Sequence, residues 1–214
     1  MQYGCTSDQI GCTANVLLIN NHTFICANAG DSRCIVAEGG KAINMSIDHK
    51  PKFKKEKARI MKAGHRVTPG EGRIDGNLNL SRAIGDLIYK KNTKLPLEQQ
   101  AVTSFPDIKM HQFTEKTDFA VLGCDGIFEQ KNNQQIVSEI YKLMRRNLPL
   151  DKITETMLDM LCSPNINMTG GLGCDNMSLI IIDFRKNLPP PQTIAQSPAL
   201  SQSSKIPLQQ RHMI

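Results

Sequence analysis

Between Thr13 and Ser46 the chain offers four short apolar runs with almost nothing between them. The runs TANVLLI, HTFICANA, RCIVAE and KAINMS are separated by Asn20-Asn21, Gly30-Asp31-Ser32 and Gly39-Gly40. Connections this short leave no room for a crossover helix, so neighbouring strands must run antiparallel. Asn and Gly tolerate the positive φ that a two-residue hairpin turn demands. The pattern predicts an antiparallel meander and argues against βαβ units. Two further strand-like runs come later: DIKMHQF alternates, whereas DFAVLGC is nearly continuously apolar and is expected to be the more buried.

Three segments read as helices. The first lies near Phe53 to Ala63, entered after Pro51 and closed by Gly64. In the second, Asn132 and Gln135 make a capping-box pattern ahead of the stripe Ile136, Val137, Ile140 and Met144, with Arg145 and Arg146 in the last turn, where cations are favoured. The third runs from Asp151 to about Cys162 and places Ile153, Met157, Met160 and Leu161 on one face. Between the first helix and the later strands, Arg66 to Pro96 is Gly-rich and irregular, with one strand-like piece, NLNLSRA. A loop with Gly170, Gly171 and Gly173 leads into a last strand within NMSLIIIDF. Strands and helices together predict an α+β fold.

Charge and cysteine usage narrow the function classes. Of the net charge of +6, four positive charges (Arg185, Lys186, Lys205, Arg211) follow Phe184 with no acid among them, which leaves +2 for the rest. The run Lys50 to Lys62 is the densest in charge, but it lacks interleaved aromatics and reads as a solvated helix face, so no nucleic-acid partner is expected. No apolar run approaches the roughly 18 residues of a membrane helix, and MQYGCTSDQIGC lacks the pattern of a signal peptide; no membrane association is expected. The seven cysteines are odd in number and include no CxxC pair, which fits reduced thiols and a cytoplasmic or nuclear setting, and gives no zinc site. Residues 1–10 are expected to be loose. Residues 185–214, rich in Pro, Ser and Gln, are expected to be disordered.

Three acids stand where an apolar run breaks into a turn. Asp31 ends CANAGD, Asp125 ends FAVLGCD, and Asp175 precedes NMSLIII. Hard cations such as Mg²⁺ and Mn²⁺ take carboxylate oxygens held on rigid supports, and strand ends bring distant carboxylates together in that way.

The segments GCTANV, ANAGDSR, IDHKP, RIMKAGHRV, NLNLSRAIGD, FPDIKM, FAVLGCDGIFE and GCDNMSLIII occur in this order. Together, from about Gly11 to Phe184, they resemble the PPM family of metal-dependent protein phosphatases, the type 2C serine/threonine phosphatases. The resemblance implies a β-sandwich of two antiparallel sheets flanked by helices, with metals in a cleft at one edge. It implies that Asp125 and Asp175 hold a core pair of Mg²⁺ or Mn²⁺ ions. Asp31 then belongs to a third, weaker site, where Glu129 stands at a position the family usually fills with Asp. Residues 50–96 correspond to a flap-like insertion beside the cleft. Within it Arg82 and Asp86 of SRAIGD are substrate-side candidates whose plainer reading is an ion pair or a turn. The reaction implied is hydrolysis of phosphoserine and phosphothreonine in phosphoprotein substrates by a hydroxide formed at the metals, without a covalent phosphoenzyme. The family's upstream DGHGG motif and an earlier arginine have no match before Gly11. The chain is therefore expected to correspond to a phosphatase domain without its N-terminal third, to bind Mn²⁺ weakly and to hydrolyse phosphate esters poorly. The alternative is a catalytically dead phosphatase-like interaction module.

Overall fold

A computed structural model of the chain describes residues 7–20, 22–163, 165 and 169–185. The first six residues of the expected loose N-terminus, Asn21 of the first turn, and residues 186–214 of the expected disordered tail lie outside the described residues.

The strands are β1 (Gly11–Cys12), β2 (Ala14–Ile19), β3 (Thr23–Ala29), β4 (Arg33–Glu38), β5 (Lys41–Asn44), β6 (Ile84–Gly85), β7 (Asp107–Gln112), β8 (Thr117–Gly123) and β9 (Leu179–Asp183). The helices are α1 (Lys54–Lys62), α2 (Asp125–Phe128), α3 (Asn133–Met144) and α4 (Leu150–Leu161). All strand pairs are antiparallel. One sheet has the order β2-β3-β7, the other β5-β4-β8-β9, and β1 pairs with β6 in a small ribbon.

The first four long strands do not form the single meander that their tight turns suggest. They form two hairpins, one in each sheet, and the chain crosses between sheets at Gly30-Asp31-Ser32. The cause is the burial demand of β4. Cys34 and Val36 face the other sheet, whereas Ile35 and Ala37 face helices, so β4 must lie inside a sheet covered on both sides. Gly30 makes the corner possible: its φ is 124°, and a Cβ there would run into the Thr13 side chain.

The same alternation builds the rest of the sandwich. Phe24, Cys26, Cys34, Val36, Met45, Ala120 and Phe184 fill the space between the sheets. On the outer side of the four-stranded sheet, Ile35, Phe119, Val121 and Ile181 pack against Ile136, Val137 and Ile140 of α3 and Ile153, Met157 and Leu161 of α4. The Asn132–Gln135 capping box forms as the sequence predicts. Met160 does not join the core; it is 39% exposed, one position off the stripe of Ile153, Met157 and Leu161. Arg145 caps α3 and Arg146 lies beyond it, so only Lys142 is in the last turn.

The region after the first helix departs further from expectation. NLNLSRA is not a strand; isolated bridges join Ile74 to Leu78 and Arg82 to Thr103, and the strand proper is β6. Nor is α1 simply a solvated charged face. Glu56 is 3% exposed and accepts hydrogen bonds from Arg59, Ser81 and Arg82, so α1 turns an ion cluster inward beside Ile60. Among the described residues no helix is long and apolar enough to cross a membrane.

This packing makes a direct prediction. Ile140→Ala removes a fully buried side chain and should lower stability by about 2–5 kcal/mol. Met160→Ala should change it by no more than about 0.5 kcal/mol. Urea unfolding of the two variants checks that Ile140 of α3 lies in the core and that Met160 of α4 does not.

Candidate metal centre

β8 and β9 pair with Gly123 opposite Leu179, so the residues just past the end of one strand meet those just before the start of the other. Asp125 opens α2, and Asp175 stands in the loop before β9. Three contacts of Cys124 tie the two segments together. Its N–H donates to the Ser178 carbonyl (3.2 Å), its thiol donates to the Asn176 carbonyl (3.3 Å), and its Sγ accepts from the Ser178 N–H (3.2 Å). Gly126 permits the approach, because a Cβ there would stand 2.8 Å from the Asn176 carbonyl. The Asp-Gly pair therefore starts a helical turn against a second loop and does not make a hairpin.

One turn along, Glu129 points back to the same place. Carboxylate oxygens of Asp125, Glu129 and Asp175 all lie within 4.8 Å of one another. Asp125 is half-buried and the other two are exposed. Burial and the charges of Asp31 and Asp175 push Asp125 above the usual carboxylate range, with Lys50 and the Gly126 N–H pulling back. Burial, Asp125 and Asp175 push Glu129 up as well, again opposed by Lys50. Such a group gathers negative charge faster than this chain neutralises it. Three clustered oxygen donors with one partly buried member suit a hard divalent cation.

Asp31 sits at the sheet-to-sheet corner, 3% exposed, close enough to act on Asp125 but ion-paired with Lys50. The turn that carries it is fixed from both sides. Arg33 binds Asp48 through two hydrogen bonds (2.7 and 3.0 Å), and the Gly30 N–H donates to His49 Nδ1 (3.1 Å). That bond makes Nδ1 the acceptor, so the neutral ring carries its proton on Nε2, 3.2 Å from Asp107. Burial and the Arg82 charge push the His49 pKa down, which keeps the ring neutral.

The remaining sequence candidates stand outside the acidic group. Arg82 is 3% exposed and donates to Glu56, to Asp107 (2.7 Å) and to the Phe105 carbonyl (3.0 Å). Burial works to raise the Glu56 pKa, but hydrogen bonds from Arg82 and Ser81 and the Arg59 charge hold it down to about 2. Arg82 is thus the hub of an ion network, its plainer reading. Asp86 occupies a left-handed turn (φ 50°), where its N–H donates to the Ile10 carbonyl and its side chain packs at Gly11. Sequence reasoning missed Lys50, His49, Glu56 and Asp107. The first two lie in IDHKP and the last in FPDIKM, but neither segment showed which residues its side chains would meet.

Comparisons with known proteins converge on one family. The family model described as Protein phosphatase 2C matches residues 3–167. A probable protein phosphatase of Drosophila melanogaster is 45% identical over 86% of this chain and 28% of its own length. Protein phosphatase 1G of Bos taurus is 46% identical over 85% of this chain and 34% of its own. The chain spans less than half the length of each of these relatives. A crystal structure of a Toxoplasma gondii phosphatase superposes with a TM-score of 0.67 at 30% identity, covering 77% of this chain and 49% of that one. A Caenorhabditis elegans sex-determining protein shares the fold, with a TM-score of 0.65 at 24% identity.

The raised pKa of Asp125 has a sign that can be measured. A carboxyl group whose pKa is higher in the folded state stabilises the protein at low pH and loses that contribution as pH rises through the folded value. Asp125→Asn should therefore melt above the wild type at pH 7 in EDTA, and the gap should close below about pH 4. Thermal melts of both proteins across this range check it.

Proposed function

We propose a function from one premise: this chain belongs to the protein phosphatase 2C family. On that premise the chain is part of a protein serine/threonine phosphatase, and the acidic group at the β8–β9 end is where it takes up Mg²⁺ or Mn²⁺. The observation that carries the reading is the convergence of Asp175 on Asp125 and Glu129, which lie far from it along the chain. Phosphoserine and phosphothreonine proteins are the substrates, and water is the acceptor of the phosphoryl group.

Asp125 and Asp175 would hold the core cations, with Glu129 as a third oxygen donor beside them. Asp31 would serve a further, weaker site from the Asp125 side. Divalent cations bound there supply Lewis acidity, which lowers the pKa of water and draws charge from the phosphoryl oxygens. The chain's own contribution is rigidity. The Cys124 contacts fix the loop of Asp175 against the helix start of Asp125, so the carboxylates need little reorganisation when charge arrives. Arg82 supports the reading only indirectly, since its ion network with Glu56 and Asp107 steadies the His49 ring under the Asp31 turn.

Mn²⁺ titration of the purified chain, followed by the paramagnetic resonance of the free ion, tests the metal reading. Binding should weaken at least about tenfold in Asp125→Asn and in Asp175→Asn, because affinity follows ligand charge. Equal binding by all three proteins would contradict it. In the whole protein, the same substitutions should cut Mn²⁺-dependent release of phosphate from a phosphothreonine peptide by about 100-fold or more, a loss of roughly 2.7 kcal/mol in transition-state stabilisation. Hydrolysis that survives them would overturn the assignment of these carboxylates.

A further inference from the structure

Lys50 is held against Asp31 by the same frame that fixes the Asp31 turn. The corner Gly30 to Arg33 and the segment Asp48 to Lys50 face each other in successive rungs. Arg33 takes Asp48 with two hydrogen bonds, Gly30 exchanges hydrogen bonds with His49 in both directions, and Asp31 takes Lys50. The His49 carbonyl is fixed in turn by the Ser81 N–H and hydroxyl, both at 2.9 Å, and its ring by Asp107. The Lys50 ammonium therefore does not wander in solvent. Its side chain is 26% exposed, and the Asp31 carboxylate it meets is 4% exposed. A surface ion pair between two mobile side chains contributes little. This pair has one buried partner and a fixed backbone behind each.

The reach of Lys50 goes beyond Asp31. Its charge also acts on Asp125 and on Glu129, opposing the repulsion among the carboxylates. A single ammonium thus bears on Asp31, Asp125 and Glu129.

We propose that Lys50 is a tethered cation that competes with a divalent ion for Asp31, and so sets the affinity of the cation site that Asp31 shares with Asp125. This rests on the metal reading given under the proposed function. A divalent ion that takes up Asp31 must first displace the ammonium and then lie beside it, and like charges at that range repel strongly in a partly buried setting. Removing the ammonium removes both costs. The weaker of the chain's cation sites should then become a tighter one, without any new ligand.

The test uses Mn²⁺ alone as the probe and the paramagnetic resonance of the free ion as the readout. Wild type, Lys50→Met, Lys50→Gln and Lys50→Arg are titrated in the same buffer, with circular dichroism as the check on folding. Lys50→Met, or Lys50→Gln where the methionine variant loses the wild-type spectrum, should bind the weaker Mn²⁺ at least about tenfold tighter than wild type. Lys50→Arg keeps the charge and should stay within about twofold. Equal or weaker binding by the neutral variants overturns the proposal. The metal reading fails separately, when Asp125→Asn leaves Mn²⁺ binding unchanged. Absence of Mn²⁺ binding from every one of these proteins counts against both.

Discussion

Antiparallel pairing of β8 with β9 is the constraint from which the rest follows. It joins residues 117–123 to residues 179–183 at a sequence separation of more than fifty residues, and it delivers Asp125 and Asp175 to the same end of the same sheet. The strands are fixed by burial on both faces. Phe119, Val121 and Ile181 are held under α3 and α4, while Ala120, Leu122 and Ile182 face the second sheet. A slip of one residue would turn every one of these side chains to the wrong face. The register of the acids is therefore set by the hydrophobic core and not by any attraction among the acids, which repel each other. That is the arrangement a cation site needs: the scaffold holds the ligands together against their own charge.

The molecule treats charge in two contrasting ways. Around Arg82 the ionic groups are matched. Glu56 receives Arg59, Ser81 and Arg82 in a buried cluster, and the network runs out to the exposed Asp107, which receives Arg82 and His49. Breaking such a cluster from one side strands a buried charge, so its role is to hold the polypeptide in place. Around Asp125 the balance is unequal. The charges of Asp31 and Asp175 bear on Asp125, those of Asp125 and Asp175 bear on Glu129, and Lys50 opposes both. The first arrangement explains how the corner at Asp31 is kept rigid. The second explains why that rigidity is useful to a family of metal-dependent phosphatases.

Much of this was legible in the sequence because the strands obey a period of two and are punctuated by turn residues. The hairpin ends, the capping box at Asn132 and the buried stripe of α3 could all be read locally. The three aspartates were legible for the same reason, since each stands where an apolar run meets a turn. The split of the meander was not, because the three-residue link Gly30-Asp31-Ser32 is compatible with one sheet or two. Only the two-sided burial of Cys34 to Ala37 decides between them, and two-sided burial is a property of what packs on the strand. Glu56 was hidden by its company. Amid lysines it reads as one more solvated charge, and its burial depends on Arg82, which is 26 residues away. Lys50 was hidden in the same manner, 19 residues from the carboxylate it meets.

The central claim is that Asp125 and Asp175 grip divalent cations at the end of the β8–β9 pair. Crystals of the protein grown with Mn²⁺, measured for anomalous scattering at the manganese edge, test it most directly. The account requires anomalous density at bonding distance, roughly 2 Å, from carboxylate oxygens of both aspartates. Density confined to other acids, or none at this sheet end in a crystal that binds Mn²⁺ elsewhere, would contradict it.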